Sequence, residues 1–452
     1  MSAKIQIKSD LVGTFGGIFL MLDHFNKVGL DKLVDKLLGN RRFNAKYSYS
    51  DISKTLLATY VTNGSCIEDS KQISGQISEK SQGYRLCSPD VLLNSFKELS
   101  TESTASRSES GIEYKFNYNP VLTDLAVKGL IQCRQVDTDT AHVFDYDNQF
   151  IPTEKYDAKF SYKKAFGYFP GIAQIDGYPF FVENRDGNAN VKYLSFTDVA
   201  ESRHSKQACS TLDFCNIQAE TLEKAYLALE ENGIKVGQSR MDCGSYSKEI
   251  VETVARHTHL FYIRANRCET LRRRISEIDD SAWEDVEINY IKCQLSSISF
   301  TAFLEEEGYR LVVQRTLRDN GQSDLFDGEY VYRCILTNDT QLSNRDVVQF
   351  YNMRGCTERC FDCMNNDFGW GHLPCSFMES NTVFMGIMVF LHNYYRYFLC
   401  ILEGKGFMLK KTSRVKAFVF RFASVPFKWV TAGTRKLLRL YSSNPAYLQL
   451  QV

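Results

Sequence analysis

Three carboxylates stand where three different predicted elements end: Asp147 closing a strand in "HVFDYD", Asp242 closing another in "GQSRMD", and Glu358 on a helix reading Tyr351-x2-Arg354-x3-Glu358. A helix turns once in about 3.6 residues, so Tyr351, Arg354 and Glu358 share one face and bring a hydroxyl, a guanidinium and a carboxylate together. Two aspartates and a glutamate are hard oxygen ligands suited to Mg2+ or Mn2+. Two such ions held side by side are a known means of cutting phosphodiesters.

Each carboxylate also has a purely structural reading. Asp242 is followed by Cys243-Gly244-Ser245 and a new helix, so it projects from the carboxyl end of a strand, yet aspartate there also suits a helix N-cap. The first aspartate lies in a crowd of Asp137, Asp139, Asp145 and Asp147. Strand alternation puts Asp145 and Asp147 on one face, where both can approach a metal, with Asp147 the nearer choice and Asp145 the second. The earlier pair, in "VDTDT", reads as a solvated turn. For Glu358 the alternative is an exposed Arg354–Glu358 pair worth only about 0.2–0.5 kcal/mol.

The elements that must position these groups follow from periodicity. Residues 1–130 read as a mostly helical region with "LDHFNKVGLDKLVDKLLG" and "SYSDISKTLLATYVTNG" at helical spacing, and Ser88-Pro89-Asp90 as a helix start. Ser100 to Gly111 reads as a linker or exposed loop. From 131 to 275 short apolar strands come in quick succession ("HVFDYD", "GYFPGIAQI", "YPFFVEN"), followed by helix, strand, helix and strand. Residues 276–340 are richer in strands, 341–403 carry the Glu358 helix, and 404–452 form a basic C-terminal region.

At these residues the chain resembles the DDE transposases of bacterial insertion sequences, in the branch with a Y-R-E helix signature. The likeness runs from "GYFPGIAQI" through "RMDCGSYSKEIVE" to the basic tail after Phe407. It implies an α+β fold with an RNase H-like core, split by the 276–340 β insertion. It implies cleavage at the ends of the element and strand transfer into target DNA, with two Mg2+ or Mn2+ ions on Asp147, Asp242 and Glu358. The partners would be double-stranded DNA, as terminal inverted repeats and target, and a second copy of the chain in a homodimer. "FDYDNQ" fits the D-x-D pattern of the branch with Asp145 and Asp147, although Gln149 stands where a Thr is common and Asn365 where the signature has its final Lys. A slipped alignment would instead move the first ligand to the "VDTDT" pair. Trp283, in the insertion, is a candidate for stacking on a flipped base at a hairpin intermediate, against an ordinary core role. A nuclease without strand transfer and a catalytically dead DNA-binding relic or repressor are the competing readings.

Composition sets the outer limits. The 452 residues, 44% hydrophobic and 24% charged, suit a globular protein of two or three domains. Fourteen cysteines without a small-domain framework suit free thiols in a reducing cytoplasm. Val383 to Leu402 is apolar enough to suggest a membrane span, but it carries His392, Asn393 and Arg396 and reads as a buried helix. No signal peptide is expected.

The net charge is zero but unevenly spread. Lys410, Lys411, Arg414 and Lys416 belong to a stretch after Glu403 without a single acid, a surface for DNA phosphates. "VKAFVFRF" there alternates like a strand. Lys163 and Lys164, with Lys155 and Lys159, offer a second patch near the first aspartate. Cys360, Cys363, His372 and Cys375 have zinc-like spacing, but the cysteines at 356, 360 and 363 fall on the helix face opposite Glu358, and buried free thiols are the reading adopted.

Overall fold

The computed structural model describes residues 12–77, 84–108, 111–189, 194–196, 214–266, 268–301, 303, 308–318, 329–433 and 435–450. They form two compact units, one of residues 1–100, 124–135 and 363–452, the other of residues 101–123 and 136–362. Elements are numbered along the chain.

The first unit is mainly helical. It holds α1 (Gly17–Lys27), α2 (Leu30–Leu38), α3 (Tyr49–Val61), α4 (Ser70–Ile77), α5 (Pro89–Leu99), most of α6 (Pro120–Gln132), α12 (Met378–Leu402), α13 (Val415–Phe418) and α14 (Ala446–Gln449). A hairpin of β17 (Phe427–Ala432) and β18 (Arg435–Leu440) completes it. α3 begins where the sequence can cap it: the Ser48 hydroxyl accepts from Asp51 N and the Asp51 carboxylate accepts from Ser48 N. α12 is buried along most of its length, as its ring-rich sequence requires. Phe384 meets Tyr60 and Phe96, while Phe390 and Tyr394 meet Phe25. Among the described residues no helix is long and apolar enough to cross a membrane. The strand expected at "VKAFVFRF" is instead α13 and a π-helical turn, Val419–Ala423. Val415, Phe418 and Phe422, all buried, recur at i, i+3 and i+7, so the helical period governs burial and the alternation is incidental.

The second unit is built on one large mixed sheet. Its strands are β1 (Thr104–Ser108), β2 (Glu113–Tyr118), β3 (Ala141–Asn148), β7 (Gly171–Ile175), β8 (Tyr178–Arg185), β9 (Leu194–Phe196), β10 (Phe214–Asn216), β11 (Lys235–Met241), β12 (Leu260–Arg264), β13 (Glu284–Ile288), β14 (Ile291–Phe300), β15 (Tyr309–Leu317) and β16 (Tyr330–Thr337). They lie in the order β10-β9-β1-β2-β8-β7-β3-β11-β12-β16-β15-β14-β13. A separate three-stranded sheet of β4 (Ile151–Pro152), β5 (Lys159–Phe160) and β6 (Phe166–Tyr168) lies between β3 and β7 in sequence. The helices are α7 (Ile217–Glu230), α8 (Lys248–His257), α9 (Glu269–Ser276), α10 (Asn344–Asn352) and the first half of α11 (Cys356–Asp367).

At the centre β3, β11 and β12 run parallel, with β7 and β8 joining β3 as an antiparallel meander. The parallel crossings need long connections, which α7 and α8 provide. One sequence expectation changes here. The stretch from Ser100 to Gly111, expected as linker, contains β1, whose backbone pairs with β2 and β9 and so gains from its neighbours what its own composition lacks. The β-rich stretch 276–340 continues the sheet: β16 pairs antiparallel with β12, and β13 to β16 extend from it.

Candidate active site

The register of β3 against β11 aligns Asp145 with Arg240 and Tyr146 with Met241, so the next residues, Asp147 and Asp242, leave neighbouring parallel strands at the same end. That end is where chemistry collects in open sheets with parallel strands. Asp147 is mostly buried, its backbone neighbour Asn148 donates N–H to its Oδ1 at 2.8 Å, and its Oδ2 lies 2.7 Å from Nη2 of Arg354. Burial pushes the Asp147 carboxyl up to about 6; Arg354 opposes the shift and the negative charge of Asp242 adds to it. Asp242 stands at the strand end and also caps the turn that follows. Its Oδ1 accepts from Gly244 N at 2.9 Å, capping the short turn Cys243–Ser245. Gly244 leaves room for that contact, because a Cβ there would stand 2.9 Å from the same oxygen and push the carboxylate aside.

Asp145 is bound differently. Its two oxygens accept from Nε and Nη2 of Arg240 at 2.8 and 2.7 Å, a bidentate pair with side chains only 1% and 8% exposed. Arg240 also donates from Nη1 to the Phe350 carbonyl and lies over the Phe350 ring. The first aspartate of "FDYD" therefore ties β3 to β11 and α10, and its lone pairs face a guanidinium. Asp137 accepts from Asp139 and Thr140 in an exposed turn.

The Y-R-E segment is not one continuous helix. α10 ends at Asn352, Met353–Gly355 form a 3-10 turn, and α11 starts at Cys356. Gly355, a poor helix former, sits at the break. The single face expected for Tyr351, Arg354 and Glu358 is therefore interrupted. Tyr351 is 9% exposed and donates its hydroxyl to the Met241 carbonyl at 3.3 Å, which ties α10 to the residue before Asp242. Arg354 turns to Asp147, and its Nε is buried without a hydrogen-bond partner among the described residues. Glu358 lies exposed in the first turn of α11. Among the described residues no three His, Cys, Asp or Glu side chains come together as a ligand set. Asp147 and Asp242 do suit a divalent cation, because their mutual repulsion is of the kind that such an ion relieves.

The other predicted contact residues are scattered. Trp283 is half-buried, with the Arg315 guanidinium 4.0 Å from its ring centroid and 4.7 Å from that of Tyr330. One ring face is therefore covered by protein. Lys163 and Lys164 are exposed in the turn between β5 and β6. In the first unit Lys410, Lys411 and Lys416 are exposed, whereas Arg414 pairs with Asp367. Cys360 and Cys375 are buried, and the Cys363 thiol lies 3.6 Å from Asp367 Oδ2.

The sequence reading missed the supports behind the aspartates. Asn148 Nδ2 donates to Gln218 on α7, and Gln218 Nε2 donates to Ser245 beside Asp242. Asn148 Oδ1 in turn accepts from fully buried Arg185, which also contacts Tyr146, Thr221 and Glu183. Burial works against the charge on Glu183, but Arg185 and Lys224 hold its carboxyl below the usual range. One signal was available: Glu183 in "YPFFVEN" and Arg240 in "GQSRMD" are charges inside segments read as strands.

The mixed sheet thus places two aspartates at the ends of neighbouring parallel strands, with an arginine on one of them. A family model of the transposase DDE domain, group 1, matches residues 4–398, and the chain belongs to that family. A search of curated proteins finds no match to the chain. Membership supports transposase-type enzyme function with DNA as partner, in a family that typically uses divalent metal.

Proposed function

We propose that the protein is a cut-and-paste DNA transposase of an insertion sequence, which cleaves phosphodiesters at the ends of its element and joins them to target DNA. The observation that carries this reading is the convergence of Asp147 and Asp242 at the ends of β3 and β11, in a chain of the DDE family. The order β8-β7-β3-β11-β12, antiparallel then parallel, supports an RNase H-like core. Asp147 and Asp242 would hold Mg2+ or Mn2+ ions, with Glu358 as the third carboxylate. Such ions supply activation of the attacking hydroxyl and neutralisation of charge on the leaving oxygen.

The chain's own groups do the rest. Arg354, which pairs with Asp147 through Nη2, suits a DNA phosphate next to the scissile bond as well. Tyr351 acts from within by fixing the Met241 carbonyl, and Asp145 with Arg240 holds the two strands in register. Lys410, Lys411 and Lys416 serve as phosphate contacts in the first unit. Action as a homodimer on paired ends, in the cytoplasm, completes the proposal.

The test uses duplex DNA carrying the sequence that flanks the gene, with purified protein and Mg2+. Asp242→Asn removes a ligand charge without changing shape, so cleavage is lost while binding to the ends is kept. Substantial metal-dependent cleavage by that variant refutes the assignment. Joined end–target product from the wild type separates a transposase from a nuclease.

A further inference from the structure

The small sheet β4-β6-β5 lies between the strand that bears Asp147 and β7, in the same unit as the aspartates. From Asp147 to Ile151 is four residues, a reach of at most about 14 Å. Strands of two or three residues bury little by themselves. This flap is held by its backbone, by buried Ile151 and by the buried Tyr168 ring. Ser161 N donates to the Ala165 carbonyl to close the turn, and the Tyr168 hydroxyl donates to Asp157. Gly187 lies directly beneath, since a Cβ there would stand 2.3 Å from Gly167 O and 2.7 Å from Lys159 O.

What the flap turns outward is unusual for a soluble surface. Phe160 is 56% exposed, Phe166 51% and Tyr162 71%. Phe160 and Phe166 are register partners with ring centroids 5.3 Å apart. Every charged residue from 158 to 166 is a lysine: Lys159, Lys163 and Lys164, all exposed, with Lys163 Nζ 5.1 Å from the Tyr162 ring centroid. A cross-strand aromatic pair can by itself steady a short hairpin. It does not account for the outward Tyr162 or for three cations among the rings. Aromatic faces interleaved with cations are the means by which proteins hold single-stranded nucleic acid, because any base has a face to stack while the lysines take the phosphates. Bases inside a duplex have both faces covered, so such rings select unpaired nucleotides.

We propose that the β4-β6-β5 flap is a stacking platform for unpaired nucleotides at the DNA end beside the cleavage site. Phe160, Phe166 and Tyr162 take the bases, and Lys159, Lys163 and Lys164 take the flanking phosphates. This inference rests on the proposed function for the location of the DNA end.

The experiment compares two oligonucleotide duplexes, one fully paired and one with a few unpaired nucleotides at its end including 2-aminopurine, with the full chain and no divalent metal. The wild type binds the splayed duplex more tightly and quenches the 2-aminopurine. Phe160→Ala and Tyr162→Ala each weaken that binding about tenfold, leave the paired duplex unaffected and lose the quench. Phe160→Tyr, which keeps a ring, retains both. Equal affinity of the wild type for the two duplexes overturns the proposal. Alanine variants that weaken both duplexes alike do so too, and return the rings to a role in the hairpin's own stability. Cleavage by the wild type with Mg2+ is measured alongside. Its absence with the quench intact strikes the proposed chemistry and leaves the platform standing.

Discussion

Asp145 and Asp147 are two residues apart on one strand and are expected to respond to the same substitution in opposite ways. Asp145→Asn removes the charge that two guanidinium nitrogens address at 2.7 and 2.8 Å, in a pair with side chains 1% and 8% exposed. Arg240 is then left charged and buried, with only the Phe350 carbonyl and ring beside it. Breaking a buried pair from one side costs about 3–5 kcal/mol. Asp147→Asn acts on a carboxyl raised from 3.8 to about 6. A raised carboxyl means that the folded state binds more protons than the unfolded one between those values, so ionisation costs stability as pH rises from about 4 to 6. Two units correspond to about 3 kcal/mol above that window, which the amide no longer incurs, offset by the weaker hold on Arg354. Urea unfolding at neutral pH should therefore show a large loss for Asp145→Asn and little change or a gain for Asp147→Asn. Cleavage assays on the folded fraction should show the reverse order of damage. A wild-type midpoint for Asp145→Asn, or retained Mg2+-dependent cleavage by Asp147→Asn, refutes the assignment of structural and ligand roles.

Other substitutions separate surface from support. Neutralising Lys410, Lys411 and Lys416 should lower the slope of log affinity for DNA against log salt by about 0.9 for each phosphate that is no longer neutralised, and an unchanged slope would remove them from the DNA surface. Arg414→Ala, by contrast, breaks the pair with Asp367 and should lower the thermal midpoint more than it alters the salt slope. His392 is fully buried, and burial, then Arg396 and Arg414, lower it to about 3. The unfolded chain takes up that proton below about 6.5 and the folded one does not, so stability should fall with pH by about 1.4 kcal/mol per unit between those values. His392→Gln should flatten that dependence in pH-dependent unfolding. Cys360→Ser with Cys363→Ser should leave Mg2+-dependent cleavage largely intact while lowering stability through the buried Cys360; stoichiometric zinc that disappears in the double variant would contradict this.

What could be read from the sequence was what depends on local pattern. The short segments "HVFDYD" and "GQSRMD" located both aspartate strands, and the ring-rich 383–402 stretch indicated a buried helix. What could not be read depends on neighbours distant in the chain. Nothing local to "TASRS" makes it a strand; β2 and β9 do. Asp145 and Asp147 have equal local claims, and only Arg240, ninety-five positions away, separates them. The helical spacing of Tyr351, Arg354 and Glu358 assumed an unbroken helix, and the 3-10 turn at Met353–Gly355 lies within that assumption's blind spot. The exposure of the flap rings also depends on pairing, since Phe160 and Phe166 meet as register partners of β5 and β6.

The buried pair beneath the site also bears on why the aspartates meet. Side chains on a strand alternate, so a slip of one residue between β3 and β11 would turn Asp147 from the site to the opposite face. Phe144, Tyr146 and Met241 are buried together on the face opposite Asp147, and their burial opposes such a slip. A charge pair discriminates more sharply. In the native register Asp145 and Arg240 are direct partners, and any other register leaves both charges buried and unsatisfied. The chain from Asn148 through Gln218 to Ser245 applies a second constraint at the strand ends, where the donors and acceptors match only if both aspartates have emerged together. Stability alone does not require an ion pair at this depth, because apolar substitutes of similar volume often do as well. Its position one step before two carboxylates that repel each other is the more economical explanation: the pair fixes, through geometry, a juxtaposition that electrostatics opposes.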